Sequence, residues 1–352
     1  MAEEDILTTS WIDEYQSSDA LEIEETVRGF LIAQARAAAD QNRPLRRGTH
    51  AKGVCVRAVF EVADVTTRRD PALAGRLACG LFGKPGSYPT TVRFANSNPT
   101  VDSDWEPDVR SLSFAVELPA HTDPGEPRVA RHDWSLQSSP TLPFNDVHAF
   151  AVYARVLGAP NEAVALGSMS FADQLLFVRT RNAVIEQQRQ PVRPYQQLRY
   201  WSNVPFRHGP SEVVKYSASP LAANPAQALA HGNPSALLDE LIRHLDNDAT
   251  MSAFDFAVQF LDTERMTWQG RRRDAAFWID NASVEWPEAQ APFHTIARLT
   301  LVSRSQLRAE ACEQMYIDVT EHSAPEHAPV GRINRARRYA EVASRRARGE
   351  AL

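Results

Sequence analysis

The stretch RRGTHAKGVCVRAVFEV, residues 46 to 62, places a histidine between basic residues directly ahead of an alternating apolar run. The apolar positions of that run are Val54, Val56, Ala58, Phe60 and Val62. A period of two predicts a β-strand with one buried face. His50, just before the strand, is either an ordinary turn residue or a proton-transfer group at the mouth of a barrel, and this stretch alone leaves both interpretations open.

The periods elsewhere in the chain indicate a mixed organisation. Period-two runs predict strands at residues 88–96, 109–119, 252–262, 275–286 and 293–303, and helical spacing predicts helices at residues 20–40, 145–158, 170–190, 234–248 and 335–350. Asp19 is expected to cap the first helix, and Arg43-Pro44 to end it. Strands, helices, strands and helices follow one another without βαβ alternation, which indicates an α+β fold. No linker divides the chain, which favours a single domain.

Charge and composition narrow the functional classes. The chain has 352 residues and a net charge of −6, which argues against a general role in binding nucleic acid or a membrane surface. No apolar run reaches transmembrane length, and the acidic first residues lack the charge pattern of a signal peptide. Cys55, Cys79 and Cys312 are far apart and form no CxxC pair, so we expect three thiols in a cytoplasmic protein.

The last predicted helix carries the pattern with the most chemical information. Arg335, Tyr339 and Arg346 share one of its faces, together with Arg332 and Ala343. An arginine one turn from a tyrosine favours the phenolate, because an opposite charge nearby stabilises the ionised oxygen. A phenolate suits ferric iron, and tyrosine is one of the axial ligands of haem. The alternatives are a solvated basic helix and a basic tail that binds nucleic acid.

Three motifs resemble, in the same order, those of the haem catalases. They are HAKG leading into a strand that ends FEV, VRFANSNP followed by DVRSLSFAV, and R-x-x-x-Y-x6-R in the last helix. The chain is similar to the shorter, catalase-related branch of that superfamily, which includes catalase-like peroxidases and allene oxide synthase-like enzymes. Residues 200–217, 284–288 and 325–346 are similar to the same branch.

The resemblance implies a fold and an organisation for the chain. The expected fold is an antiparallel β-barrel with surrounding helices, a haem-carrying domain over residues 46–352. Residues 1–45 are expected to form an N-terminal helical arm. Members of the superfamily commonly self-associate, so a homo-oligomer of unspecified size is expected.

The resemblance also implies roles for single residues around a haem. His50 matches the distal histidine, and Tyr339 matches the proximal iron ligand. Arg335 matches the arginine that hydrogen-bonds the phenolate. Phe150 matches the aromatic residue over the distal face of the haem, although packing in the core is an equally good interpretation of it.

Three further arginines match those that hold the haem propionates. They are Arg47, Arg93 and Arg346. Propionates are carboxylates, and the guanidinium group pairs with a carboxylate through two parallel hydrogen bonds. The chemistry of these residues therefore agrees with the role that the resemblance implies.

Three positions depart from the pattern of true catalases. Gln137 stands in place of the distal asparagine, or Ser138 does if the alignment shifts by one residue. Ala95 replaces a serine that supports the distal histidine, and Thr49 replaces a valine. The glutamine amide is on a longer arm, and the threonine hydroxyl could hydrogen-bond the imidazole or compete for peroxide. These departures favour organic hydroperoxides or peroxidase chemistry over dismutation of hydrogen peroxide.

The sequence therefore predicts an oxidoreductase that uses peroxides and depends on iron in haem, with haem b as the expected cofactor. His50 is expected to act as general base and then general acid, with Thr49 and Gln137 beside it. A hydrogen peroxide catalase and a non-catalytic haem-binding protein are the alternatives, and no nucleic-acid partner is expected. His322 and His327 lie in a proline-rich loop without cysteine partners, so we expect them to be solvated and not to bind zinc.

Overall fold

Eight antiparallel strands close into a barrel in the computed structural model, which describes residues 19–42, 47–119, 130–224, 228–247 and 252–350. The described residues contain eleven strands in all, eight of them in the barrel. They are β1 (Gly53–Val62), β2 (Gly86–Asn96), β3 (Arg110–Glu117), β4 (Arg131–Gln137), β5 (Tyr200–Trp201), β6 (Phe206–His208), β7 (Glu212–Pro220), β8 (Ala253–Phe260), β9 (Thr267–Trp268), β10 (Arg271–Arg272) and β11 (Phe293–Gln306). The order around the barrel is β5-β4-β3-β2-β1-β11-β8-β7, and β7 pairs with β5 to close it. β6 pairs with β7 outside this circuit, and β9 and β10 form a separate hairpin.

Aromatic side chains fill the interior of the barrel. The ring of Phe60 lies 5.3 Å from those of Trp134 and Phe256, and Tyr216 stacks on Phe256 at 5.2 Å. All four are fully buried. Since side chains alternate across a strand, the residues between these inward positions point outward and form the outer wall of the barrel. The strand predictions for β1, β2, β3, β8 and β11 are confirmed.

Nine described helices surround the barrel. They are α1 (Ala20–Asp40), α2 (Pro71–Leu77), α3 (Val147–Gly158), α4 (Glu162–Gly167), α5 (Phe171–Gln188), α6 (Ala236–Leu245), α7 (Ala275–Asp280), α8 (Ala309–Gln314) and α9 (Arg332–Ala347). α1 packs along α3 and α9. A Cβ on Gly29 would lie 2.1 Å from the carbonyl oxygen of Ala154, so only glycine permits this crossing of α1 and α3. None of these helices is both long and apolar enough to cross a membrane.

The expected role of Asp19 as a helix cap was wrong. Its side chain makes no capping hydrogen bond to α1. Its carboxylate instead accepts a hydrogen bond from Arg332 at 2.8 Å and lies 3.5 Å from the guanidinium of Arg335. Two arginines compete more strongly for a buried carboxylate than backbone amides do, so Asp19 ties the start of α1 to the start of α9. α1 ends at Asp40, and the Arg43-Pro44 stop lies outside the described residues.

The strand predicted at residues 275–286 was also wrong. Residues 275–280 form α7, which begins where the Asp274 carboxylate accepts a hydrogen bond from the backbone N–H of Phe277. The helix buries Trp278 and Ile279, and the chain then turns away. Short apolar runs fit both periods, so the pattern could not separate a helix from a strand here.

The prediction of three thiols was wrong for two of the cysteines. Cys55 on β1 and Cys312 on α8 form a disulfide, with their Cα atoms 5.4 Å apart, and Cys79 is free. The two bonded residues are 257 positions apart, so their pairing is invisible in the sequence spacing. The cytoplasmic location rested on three free thiols, and the disulfide removes that support.

The prediction that His327 is solvated was wrong as well. His327 is fully buried, with its ring 5.8 Å from that of His132 and 5.3 Å from that of His208. The backbone N–H of Leu81 donates to its Nε2 at 3.2 Å. The loop before α9 therefore packs the imidazole of His327 against those of His132 on β4 and His208 on β6. No group of His, Cys, Asp and Glu side chains in the described part of the chain is arranged to hold a metal ion.

Burial of His132 makes the stability of the fold sensitive to acid. Burial lowers the pKa of His132 from 6.5 to about 3. Between these values the unfolded chain binds a proton that the folded chain does not, so stability falls as the pH falls, by about 1.4 kcal/mol per pH unit. In His132→Gln, which cannot bind this proton, we expect the free energy of unfolding to fall less steeply between pH 6 and pH 4, measured by urea unfolding. The exposed His231→Gln should keep the slope of the wild type, and an unchanged slope in His132→Gln would contradict the assignment.

Candidate functional site

The backbone around His50 is fixed by hydrogen bonds from two sides. The N–H of His50 donates to the carbonyl of Ser97 at 3.0 Å, and its own carbonyl accepts from the guanidinium of Arg93 at 2.7 Å. The φ angle of His50 is +60°, a left-handed conformation that is uncommon for a residue with a side chain. The two bonds hold this conformation and set the direction of the imidazole.

The imidazole of His50 has one partnered and one unpartnered nitrogen. Its Nδ1 lies 2.8 Å from the hydroxyl oxygen of Thr49. Its Nε2 is buried and has no hydrogen-bond partner in the described part of the chain. Burial, and then the charges of Arg93, Arg337 and Arg47, lower the pKa of His50 to about 3. The ring is therefore neutral at physiological pH, and one nitrogen is available to exchange a proton with a bound molecule.

Arg93 reaches the carbonyl of His50 because the neighbouring strand leaves space for its guanidinium group. Arg93 is on β2 directly opposite Cys55 of β1, and its side chain is buried. A Cβ on Gly53 would lie 2.7 Å from the guanidinium carbon of Arg93, so the glycine of the HAKG motif provides the space for this group. The space that Gly53 leaves for Arg93 was not predicted from the sequence, although the fixed place of this glycine in the HAKG motif was a signal for such a role.

Arg47 is held by the end of α8. Its guanidinium donates to the carbonyl of Glu313 at 2.9 Å and to that of Cys312 at 3.4 Å, and it also contacts the carbonyl of Met315. Burial, together with the charges of Arg93 and Arg348, lowers the pKa of Arg47 to about 9. The guanidinium is still charged at neutral pH, so the region around His50 is strongly positive.

A row of four residues crosses the outer wall beside His50, and the first three have small side chains. Gly53, Ala95, Ser111 and Gln137 stand opposite one another on β1, β2, β3 and β4. Ala95 and Ser111 are buried, and Gln137 is half-buried at the end of β4. The structure thus places Gln137 in the same row as the start of the strand that follows His50.

Ser138, the other candidate for the asparagine position, forms hydrogen bonds with the backbone of β3. Its hydroxyl oxygen accepts a hydrogen bond from the backbone N–H of Arg110 at 2.9 Å. Its own N–H donates to the carbonyl of Arg110 at 2.8 Å. Ser138 therefore closes the end of the β3–β4 ladder, and of the two candidates Gln137 is the one on the outer wall.

The helix that carries Tyr339 lies against the segment that carries His50. The backbone N–H of Gly48 donates to the hydroxyl oxygen of Ser344 on α9 at 3.3 Å. Ser344 follows Tyr339 by five residues, or about 7.5 Å along a helix axis. Tyr339 is half-buried and packs against the main hydrophobic core. Sequence reasoning missed Ser344 and Arg337, which contribute to the site only because α9 folds back onto the barrel.

The remaining predicted residues occupy different surroundings. Arg335 is buried beside Asp19, four residues before Tyr339. Arg346 is exposed in the last turn of α9. Phe150 of α3 is half-buried, with its ring 4.6 Å from that of Phe144 and 5.2 Å from that of Phe30. The structure thus brings Arg47, Thr49, His50 and Arg93 together, with Gln137 along the wall and Tyr339 on the adjacent helix.

Comparison with known proteins gives solved structures but no sequence relatives. No family model and no curated protein matches the chain. A fungal catalase matches with a TM-score of 0.64 and 14% identity, over 89% of this chain and 62% of that one. A bacterial catalase matches with a TM-score of 0.60 and 16% identity, over 90% of this chain and 60% of that one. Catalase A from Saccharomyces cerevisiae matches with a TM-score of 0.60 and 15% identity, over 90% of this chain and 64% of that one.

At identities this low, the comparisons establish the fold. The chain has the barrel and surrounding helices of the catalases, so the predicted fold class is confirmed. The chain spans about three-fifths of the length of the solved catalases that it matches.

The pKa of His50 should respond to the removal of a single neighbouring charge. The charge of Arg93 is, after burial, the largest cause of the lowered pKa of His50. In Arg93→Gln, whose amide can still donate to the His50 carbonyl, we expect this pKa to rise towards 6.5. The measurement is ¹⁵N-histidine NMR across a pH titration. Arg346→Gln, which removes an exposed charge from α9, should leave the His50 signal unchanged, and an unmoved signal in Arg93→Gln would contradict the account.

Proposed function

We propose that this protein is a haem-dependent oxidoreductase of the short, catalase-related type, which acts on organic hydroperoxides or as a peroxidase. The observation that carries the proposal is the buried Nε2 of the neutral His50, which has no hydrogen-bond partner among the described residues and lies beside the outer wall of a catalase fold. A buried nitrogen without a partner is costly unless a bound molecule uses it. The tyrosine helix beside it supplies the second half of a haem site.

The charges around His50 support an anionic cofactor. Arg47, Arg93 and Arg337 are close enough to lower the pKa of the imidazole together. Haem carries two propionates, and carboxylates paired with Arg47 and Arg93 would offset this excess of positive charge. Haem b, which is held by such contacts and by its axial ligand, is the expected form.

The shape and ligand chemistry of the wall also support haem. The row formed by Gly53, Ala95 and Ser111 has no large side chain that would keep a flat ring away from the strands. Tyr339 would provide the phenolate ligand, and Arg335, one turn earlier on the same helix, the positive charge that stabilises it. Haem bound there would supply a redox-active iron that cleaves the O–O bond of a peroxide.

His50 would move the proton during that cleavage. A neutral imidazole can accept the proton of a hydroperoxide at Nε2 and return it to the departing oxygen. Thr49 holds Nδ1 at 2.8 Å and so fixes the ring in the plane that this transfer needs. Carboxylates on the neighbouring arginines would raise the pKa of His50 and make it a better base.

The residues beside His50 favour larger peroxides than hydrogen peroxide. Ala95 is fully buried and has no hydroxyl, so it cannot hydrogen-bond the imidazole, and Thr49 supplies the hydroxyl at Nδ1 instead. Gln137 lies on the outer wall at the end of β4, where its longer arm replaces a fixed asparagine. Both features weaken the precise placement of hydrogen peroxide and leave the placement of a hydroperoxide to its organic part.

One observation favours a second function, a haem-binding protein without catalysis. Arg47 is bound to the carbonyls of α8, and Arg335 lies beside Asp19. Arg47 would have to leave these carbonyls to pair with a propionate of a reactive haem.

Binding of haem should depend on the phenol of Tyr339. The wild-type protein, expressed with sufficient haem, is expected to show the absorption of a phenolate-ligated ferric haem, and Tyr339→Phe is expected to lose it. Tyr88→Phe, a matched change on β2, should keep the spectrum of the wild type. A wild-type protein that binds no haem would refute both functions.

Turnover should depend on His50. In His50→Ala, we expect haem to remain bound and turnover of a fatty acid hydroperoxide to fall by roughly 10²–10⁴-fold, the usual contribution of a general acid–base group. Turnover is compared with oxygen release from hydrogen peroxide, which we expect to be the slower reaction in the wild type. Equal turnover in His50→Ala and the wild type would remove His50 from the mechanism. Bound haem without turnover in the wild type would support the non-catalytic protein.

A further inference from the structure

The Cys55–Cys312 disulfide is part of the surroundings of the candidate site. Cys55 is on the outer face of β1, directly opposite Arg93, the residue that holds the His50 carbonyl. Cys312 is on α8, so the disulfide attaches this helix covalently to the outer wall. The backbone N–H of Leu307 also donates to the carbonyl of Cys55 at 2.8 Å, just before α8 begins.

The same helix holds Arg47. The carbonyls that its guanidinium contacts are those of Cys312, Glu313 and Met315, at the end of α8. One of the three is the carbonyl of the disulfide-bonded cysteine itself. The position of Arg47 therefore depends directly on the position of α8.

Arg47 cannot keep all of its contacts with α8 while it also forms a two-point pair with a ligand carboxylate. Its Nη2 makes all three contacts with the carbonyls. Two-point pairing with a carboxylate needs that nitrogen together with a neighbouring one. A disulfide that keeps α8 on the wall also keeps Arg47 in its present contacts.

We propose that the Cys55–Cys312 disulfide is a redox-controlled clamp on Arg47. In the oxidised form α8 stays against β1 and its carbonyls retain the guanidinium. In the reduced form α8 can leave the wall, and Arg47 pairs with a carboxylate of the ligand at the site. The identity of that ligand as haem rests on the proposed function.

The redox steps balance with reagents of two classes. A dithiol opens the clamp: it is oxidised to its own disulfide and gives two electrons and two protons to the cysteines. An organic hydroperoxide closes it. One thiolate attacks the peroxide to form a sulfenic acid and an alcohol, and the second thiol displaces water to form the disulfide. The substrate class of the proposed reaction would thus close the site to new cofactor.

The first test measures the affinity for haemin. The oxidised wild type is compared with the dithiol-reduced wild type and with Cys55→Ser/Cys312→Ser, and we expect the last two to bind haemin roughly tenfold more tightly. In Arg47→Gln, the difference between oxidised and reduced protein should disappear. It should also disappear for haemin dimethyl ester, which has no free carboxylates. Cys79→Ser, which changes the free thiol, should behave as the wild type.

Equal affinities of the oxidised and reduced wild type would overturn the clamp. So would a redox difference that persists in Arg47→Gln.

The second test needs no haem. Amide hydrogen exchange of residues 307–316 in the haem-free protein should be faster after reduction, because α8 leaves the wall. The reduced wild type serves here even if the double serine variant does not fold. Unchanged exchange would overturn the clamp, whereas absence of haemin binding in every form would overturn the proposed function and leave the exchange result to decide the clamp.

Discussion

The filled interior of the eight-stranded barrel is the constraint on which the rest of the structure depends. The ring centroids of Phe60, Trp134 and Phe256 lie 5.3 Å from one another, and such rings bury large apolar areas. Because they occupy the inside, the alternate positions face outward, among them Gln137 on β4 and Cys55 on β1, with Arg93 of β2 directly opposite Cys55. The charged and polar side chains of the candidate site are therefore on the outer wall, where α9 packs against the segment that carries His50.

The sequence predicted the fold where local periodicity and burial agree. β1 and β8 have one apolar face over many residues, and α1 has helical spacing between Ala20 and Asp40, so each is recognisable alone. α7 was mistaken for a strand because a run of six residues fits either period, and a buried tryptophan is compatible with a helix as well as with a strand. Asp19 was mistaken for a cap because its two arginine partners lie more than 300 positions away. Long-range ion pairs leave no local pattern.

In the candidate site, too, the residues that are close in the sequence could be predicted, and the contacts between distant segments could not. Arg47, Thr49 and His50 are neighbours in the sequence, and the pairing of β1 with β2 adds Arg93 to them. The neutral state of His50 could not be predicted, because it depends on burial and on Arg337 from the distant helix α9. The disulfide and the hold of α8 on Arg47 were equally invisible, since both join elements from opposite ends of the chain.

We propose that the outer wall holds a haem between His50 and Tyr339. In the oxidised structure the wall, the histidine and the tyrosine helix are in place while Arg47 is bound to α8, so the proposed site is in a restricted form. A crystal structure of the reduced protein grown with haemin tests this most directly. We expect the iron on the phenolate oxygen of Tyr339, His50 on the opposite face, and a carboxylate paired with Arg47. Haem bound elsewhere, or iron held by any other residue, would contradict the claim.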